Sequence, residues 1–100
     1  MSESIDEAAR ETAKAMAKDL RETSPKDTGE YAKGWTHRKE APGSYRVHNK
    51  TKPQLTHLLE HGHAKRGGGR VEGRPHIKPA ADRYVPEFEK KVQQILERGG

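Results

Sequence analysis

The chain has 100 residues, no cysteine and a formal net charge of +5, from 20 Lys and Arg against 15 Asp and Glu. This composition excludes disulfides and thiolate metal sites, and no stretch approaches the roughly 18 apolar residues of a membrane span. Because the start of the chain is acidic and has no apolar segment, we expect a soluble protein without a signal peptide. Only thirteen residues are Leu, Ile, Val or Phe, which excludes a large self-sufficient core and favours burial against other copies or partners.

The charges are unevenly distributed along the chain. Residues 1–30 carry eight acids and five bases, residues 31–80 carry three acids and eleven bases, and residues 81–100 carry four of each. A basic middle segment is typical of a surface that binds a polyanion. The alternative is a solvated cationic surface that serves solubility alone.

The first predicted element is an amphipathic helix over about residues 4–21. Apolar side chains recur at spacings of three and four, which forms one apolar stripe on a helix. Most of them are small, so this helix packs closely but buries little area. The stripe consists of Ile5, Ala9, Ala13, Met16 and Leu20.

A β-hairpin is predicted next, over about residues 30–48. Two segments with strand-like patterns flank the turn-rich residues 41–44. Trp35 is the only tryptophan, and we expect it to anchor the core because large aromatic side chains dominate small cores.

A short helix is predicted over about residues 53–61, with Leu58 and Leu59 in the core. Residues 62–74 read as a flexible loop, because three consecutive glycines cannot lie inside a regular element. A strand over about residues 75–78 follows, with Ile77 in the core.

The last predicted element is a helix over about residues 79–98, kinked or split by Pro86. It carries the richest apolar stripe, and we place Phe88, Val92 and Ile95 in the core. The expected architecture is therefore α+β, with one small antiparallel sheet flanked by an N-terminal helix and a Pro-kinked C-terminal helix, in a single domain over residues 1–100.

Residues 57–61 match H-x-x-E-H, a pattern in which two histidines one helical turn apart bind zinc beside a glutamate base. Here these would be His57, His61 and Glu60. However, Gly62 ends the predicted helix at the second histidine, and no cysteine can complete a tetrahedral site. A small zinc-dependent hydrolase is therefore the weakest alternative, and we expect no catalytic residue, cofactor or metal. The competing interpretation is a helix C-terminus, where histidines meet the negative end of the helix dipole.

The segment after this helix is cationic and rich in glycine. Flexible Lys and Arg side chains on glycine hinges can contact phosphates without reading bases, or can dock on protein. The first possibility favours a free-standing nucleic-acid-binding module. The candidate contact residues are Lys65, Arg66, Gly67, Gly68, Gly69, Arg70 and Arg74.

Several motifs occur in a recognisable order. Thr28-Gly29 precedes Tyr31, Gly34 and Trp35, and Asn49 follows a predicted strand; then come HLLEHGHAKRGGGRV at 57–71 and PHIKPA at 75–80. In this order the chain resembles the tail-component family of long-tailed, non-contractile bacteriophages and prophages. These are small head–tail joining or tail-completion proteins. The most specific part of the resemblance is residues 58–63 with the glycine-rich loop and residues 75–80.

The resemblance implies a non-enzymatic structural protein of the virion, at the head-proximal end of the tail. It implies a homo-oligomeric ring that contacts head–tail connector and tail-tube proteins, without a membrane. The basic loop would face an interface or the DNA in the channel. The expected location is the tail or neck of the virion, and the host cytoplasm during assembly.

Overall fold

The computed structural model describes residues 2–26, 29–64 and 67–99. Two antiparallel two-stranded sheets, β1–β2 and β3–β4, lie between long terminal helices. The predicted α+β class is therefore confirmed. In chain order the elements are α1 (Ser2–Thr23), α2 (Glu30–Lys33), β1 (Trp35–Ala41), β2 (Ser44–Asn49), α3 (Leu55–His61), β3 (Gly62–Ala64), β4 (Arg70–Glu72) and α4 (Ile77–Glu97).

Helix α1 is the central element, because it packs against both strands of the first sheet and against α4. Its apolar stripe faces the core as the spacing predicts, with Ala9, Ala13 and Leu20 buried and Ile5 and Met16 half-buried. Five of the eight fully buried apolar residues described are alanines, so the elements approach closely but the core is thin. The eight are Ala9, Ala13, Ala17, Leu20, Tyr31, Ala32, Trp35 and Ala80.

One carboxylate fastens α1 to the turn of the first hairpin. Asp6 Oδ1 accepts the backbone N–H of Gly43 at 2.8 Å, and Oδ2 accepts the Tyr45 hydroxyl at 3.2 Å. Lys39 Nζ lies 3.3 Å from the same Oδ2. The Gly43 N–H lowers the pKa of Asp6, against the opposing effect of burial.

The predicted hairpin over residues 30–48 is partly wrong, because Glu30–Lys33 is a helical turn and only Trp35–Asn49 pairs. Gly29 enters this turn at φ 83°, which only glycine adopts without strain. The turn directs Tyr31 and Trp35 into the core, where their rings pack edge to face at 5.7 Å. Burial of these two large rings therefore favours a helical turn over the strand that the local sequence pattern predicts.

The predicted flexible loop over residues 62–74 contains regular structure, since β3 and β4 pair there from Gly62↔Glu72 to Ala64↔Arg70. Its flexibility stays a prediction. The glycine run lies in the turn between the strands, with Gly68 and Gly69 at φ 102° and 82°. Glycines therefore make the tip of a hairpin here. We call this β3–β4 hairpin the arm.

No strand forms over residues 75–78, because α4 already begins at Ile77. Pro79 is tolerated there, since N–H groups in the first helical turn have no intrahelical acceptor. Helix α4 also continues across Pro86 to Glu97, so the predicted split does not occur. A bend at Pro86 stays a prediction.

The residues expected in the core differ in burial. Trp35 is 4% exposed, and Leu59 and Ile77 pack against the buried cluster around it. Phe88, Val92 and Ile95 are half-buried along α4. The prediction that Leu58 lies in the core is wrong, because its side chain is 38% exposed. Helix α3 has seven residues and turns only one side to the core, and Leu58 lies on the other side.

A buried hydrogen bond makes Ser24 a sensitive position. Trp35 Nε1 donates to Ser24 Oγ at 2.8 Å, and Ser24 is 3% exposed. We expect Ser24→Ala to lower the free energy of unfolding by about 1–2 kcal/mol, because the indole N–H is left buried without an acceptor. Denaturation followed by the fluorescence of Trp35 measures this. Thr23→Ala, at the exposed neighbouring position, is the control and should change stability by less than about 0.5 kcal/mol.

Candidate functional site

Glu60, on α3, caps the N-terminus of α4 from a different helix. Its Oε1 accepts the backbone N–H groups of His76 at 2.7 Å and Ile77 at 2.8 Å, and its Oε2 accepts that of Lys78 at 3.0 Å. Glu60 is 6% exposed. Burial by itself would raise the pKa of Glu60, but the three N–H donors outweigh it and lower the pKa. The carboxylate is therefore the structural junction between α3 and α4.

His76 connects this junction to the chain that leaves the arm. Its Nδ1 lies 2.8 Å from the Arg74 carbonyl oxygen and 3.1 Å from Glu60 Oε1. Both neighbours are acceptors, so we assign the ring proton to Nδ1. With the proton on Nδ1, the Nε2 atom accepts the hydrogen bond of the Tyr31 hydroxyl, at 2.7 Å.

Tyr31 carries the network into the first sheet. Its backbone carbonyl accepts Asn49 Nδ2 at 2.7 Å, and Asn49 Oδ1 in turn accepts the Lys52 N–H at 2.9 Å. Burial raises the pKa of the Tyr31 hydroxyl, and the nearby Glu60 charge adds to this. One buried polar network thus joins α2, β2, α3 and the start of α4.

The root of the arm is closely packed at two glycines. A Cβ on Gly62 would lie 2.3 Å from the Val71 carbonyl oxygen, and a Cβ on Gly73 would lie 2.5 Å from the Glu60 carbonyl oxygen. The Arg74 N–H donates to the Leu59 carbonyl at 2.7 Å. The arm therefore leaves the body through a tight backbone crossing, and the buried network holds that crossing in place.

The predicted contact residues are spread along the arm and its root. Gly67, Gly68, Gly69, Arg70 and Arg74 are all exposed. The Arg70 guanidinium donates to the His61 carbonyl oxygen, which ties the second strand back to α3. Lys65 and Arg66 lie outside the described residues.

The H-x-x-E-H pattern does not form a zinc site with a free base, because both oxygens of Glu60 point into the core and accept backbone N–H groups. The His57 and His61 rings lie side by side on the exposed side of α3, 4.9 Å apart. In the part of the chain that the structure describes, no three His, Asp or Glu side chains are grouped to hold a metal ion.

A second feature is a groove of about 290 Å³ between α1, β2 and α4. Its walls are mainly apolar and include Ala13, Met16, Tyr45, Val47, Val85 and Phe88. Val85 is 48% exposed at the edge of the groove. Thr12 also lines it; its hydroxyl oxygen is buried and has no hydrogen-bond partner among the residues that the structure describes.

The sequence patterns did not predict the roles of His76, Asn49 and Glu60 in the buried network. The available signal was a single glutamate directly after two leucines, in Leu58-Leu59-Glu60, together with Pro79 near the start of the next helix. A capping side chain usually precedes its helix directly, so a cap seventeen residues before Ile77 has no local signature.

The buried polar groups hold the elements of a small α+β protein together. Residues 1–62 match the family described as "Bacteriophage HK97-gp10, putative tail-component". The chain belongs to this family, which indicates a structural role in a phage tail. The match covers α1 to α3 and ends at Gly62, so the arm and α4 lie beyond it. No curated protein and no solved structure matches the chain. None of the helices in the described ranges is long and apolar enough to cross a membrane.

The lowered pKa of Glu60 predicts a specific acid sensitivity. Its contribution to stability is fully present above its ordinary pKa of 4.5 and is lost as the pH falls through the lower pKa of the folded state. We expect the difference in unfolding free energy between the wild type and Glu60→Gln to shrink below pH 4.5. Urea denaturation between pH 7 and pH 3 measures it. A difference that grows towards pH 3 would contradict this assignment.

Proposed function

We propose that the chain is a non-enzymatic structural protein that completes the tail at its head-proximal end and joins it to the filled head. It acts there as a ring of identical copies. The observation that carries this proposal is the family match over residues 1–62. The partners are the head–tail connector and tail-tube proteins, and the location is the tail or neck of the virion after assembly in the host cytoplasm.

The thin core supports an assembled state. The radius of gyration is 16.2 Å, against about 13 Å for a compact domain of 100 residues, and the longest dimension is 59 Å. An elongated chain with a core built mostly of alanines leaves much apolar side-chain surface at its boundary, including Leu58, Val71, Val85 and Leu96. Neighbouring subunits would cover such surface.

The positive charge of the segment supports a location of the arm near the channel or at a subunit interface. Arg70 and Arg74 lie at the exposed arm and its root. In a ring, these charges could contact DNA phosphates in the channel without base readout. The same side chains could instead meet acidic side chains of a neighbouring subunit.

Deletion of the gene from a phage or prophage tests the proposal. We expect filled heads and separate tails to accumulate, and infectious particles to fall by several orders of magnitude, as seen by electron microscopy and plaque titre. Normal virions formed without the chain would contradict it.

Complementation provides the matched control. A plasmid-borne wild-type copy should restore the titre, and so should the His57→Ala, His61→Ala double variant, because both histidine side chains are exposed and lie outside the buried polar network. Loss of function in that variant, with its folding intact by circular dichroism, would favour the zinc alternative.

A further inference from the structure

The outer edge of β4 has no strand partner in the part of the chain that the structure describes. Strand β4 pairs with β3 on one side, and these two strands form a sheet of their own. Helix α3 packs against β3, while the main contact of β4 is β3 alone. All three residues of β4 are exposed. A strand edge of this kind offers its backbone N–H and C=O groups to a further strand.

The arm is short enough to gain from additional strands. Its two strands have three residues each, and an isolated two-stranded hairpin is marginally stable at best in water. The centre of β4 is apolar and open, since Val71 is 37% exposed. The residues two positions away on either side of it are Gly69 and Gly73, so no neighbouring side chain covers Val71 along the strand. Val71 is therefore accessible to a side chain from another chain.

The charges of β4 are complementary to those of the same strand in a second copy. Arg70 directly precedes Val71, and Glu72 directly follows it. When two copies of β4 pair antiparallel with Val71 opposite Val71, Arg70 of each copy lies opposite Glu72 of the other. Both charge pairs then lie on one face of the sheet and the two valines on the other, because side chains alternate along a strand. Parallel pairing in register would instead place Arg70 opposite Arg70, which is unfavourable.

The surroundings of β4 allow this antiparallel register. Arg74 falls opposite the turn glycines of the other copy, so the register brings no like charges opposite each other. Arg70 donates to the His61 carbonyl oxygen through one terminal nitrogen, but a guanidinium has five N–H donors and keeps others for a carboxylate. Glu72 forms no ion pair with any residue that the structure describes. Both charged side chains therefore have hydrogen-bonding capacity left for a partner.

We propose that two copies of the chain pair through the outer edges of their β4 strands and form one four-stranded antiparallel sheet, in the order β3–β4–β4–β3. Val71 of each copy packs against Val71 of the other, beside two Arg70–Glu72 pairs. The contact is isologous and closes at two copies, so it goes beyond the proposed function, whose ring needs a separate head-to-tail contact. Three-residue strands bury well under the area of about 1,000 Å² that a stable interface needs, so the dimer is weak and exchanges rapidly.

A single cysteine at the centre of the contact tests it, because the chain has none of its own. Directly opposed residues of antiparallel strands have Cα atoms about 4.5–5.5 Å apart, a separation that a disulfide spans. We expect full-length Val71→Cys to form a disulfide-linked dimer under mild oxidation at least tenfold faster than Val85→Cys. Val85 is the matched control, because it is more exposed, at 48%, and lies on α4. Equal rates, or no dimer of Val71→Cys, would overturn the proposal.

Charge reversal in the Val71→Cys background tests the register. Arg70→Glu and Glu72→Arg should each slow dimer formation at least tenfold at low salt, because each alone places like charges opposite one another. Local effects of the two charges on the thiol would instead act in opposite directions. The double reversal restores opposite charges and should restore the rate, and so should an equal mixture of the two single reversals.

The double reversal also controls for the lost hydrogen bond from Arg70 to His61, since it lacks that bond as well. A double reversal as slow as the single ones would overturn the proposal. All three substituted positions are exposed, so circular dichroism should show the wild-type fold. An arm that binds duplex DNA through Arg70 while Val71→Cys forms no dimer would also overturn it. The gene deletion reads out separately: separate heads and tails with no dimer of Val71→Cys would leave the tail-completion proposal standing and remove only this contact.

Discussion

Glu60→Ala is expected to lower the free energy of unfolding by about 3 kcal/mol. The substitution removes the carboxylate that accepts three backbone N–H groups at the start of α4. Glu60 Oε1 accepts two of these hydrogen bonds and Oε2 accepts the third. These donors have no intrahelical acceptors, and hydrogen bonds to a charged group are among the stronger ones in proteins. Their loss in a buried setting leaves several donors unsatisfied at once.

Urea denaturation at pH 7, followed by Trp35 fluorescence, measures the change. Glu72→Ala is the matched control, because Glu72 is exposed on the arm and should alter stability by less than about 0.5 kcal/mol. Glu60→Gln should fall between the two, since its amide keeps one acceptor oxygen but presents N–H donors to the Lys78 N–H. A Glu60→Ala variant as stable as the control would show that α4 does not depend on this cap.

Gly62→Ala is expected to have an effect of similar size, about 3 kcal/mol. A Cβ at this position would lie 2.3 Å from the Val71 carbonyl oxygen and 2.7 Å from the Gly73 nitrogen, and both are backbone atoms that cannot rotate away. Gly62 also has φ 79°, where a side chain adds strain of about 1–2 kcal/mol. The steric overlap adds to this strain, so the crossing at the arm root should open.

Thermal unfolding gives the loss of stability, and amide hydrogen exchange of β3 and β4 shows whether the arm root has opened. Gly67→Ala is the control: nothing lies within 4 Å of a Cβ there, and its stability should match the wild type. Equal melting temperatures for both variants would contradict a tight root.

The sequence predicts the secondary structure well where an apolar periodic pattern extends over many residues. The stripe from Ile5 to Leu20 predicts a helix over 4–21, and α1 spans Ser2–Thr23. The segments around the turn at 41–44 predict a hairpin, and Trp35–Ala41 pairs with Ser44–Asn49. Long periodic patterns are informative because many apolar residues indicate the same buried face of the element.

The short segments do not follow from local patterns. Residues 75–78 look like a strand between two prolines, but Glu60 supplies acceptors to the N–H groups of His76, Ile77 and Lys78, which favours a helix start. Likewise, the glycine-rich segment looks unstructured, but the Gly62 and Gly73 backbones pack together and start a hairpin. Partners distant in sequence decide both outcomes.

By itself, the sequence determined the α+β class, the two long helices, the first hairpin and the shortage of large apolar side chains, because these depend on periodicity and composition. Only the tertiary structure decided what the H-x-x-E-H segment does. A glutamate that could activate water on a metal and a glutamate that caps a distant helix have the same local sequence. The carboxylate is stabilised by whichever donors the fold brings to it, and in this fold those donors are the backbone N–H groups of α4.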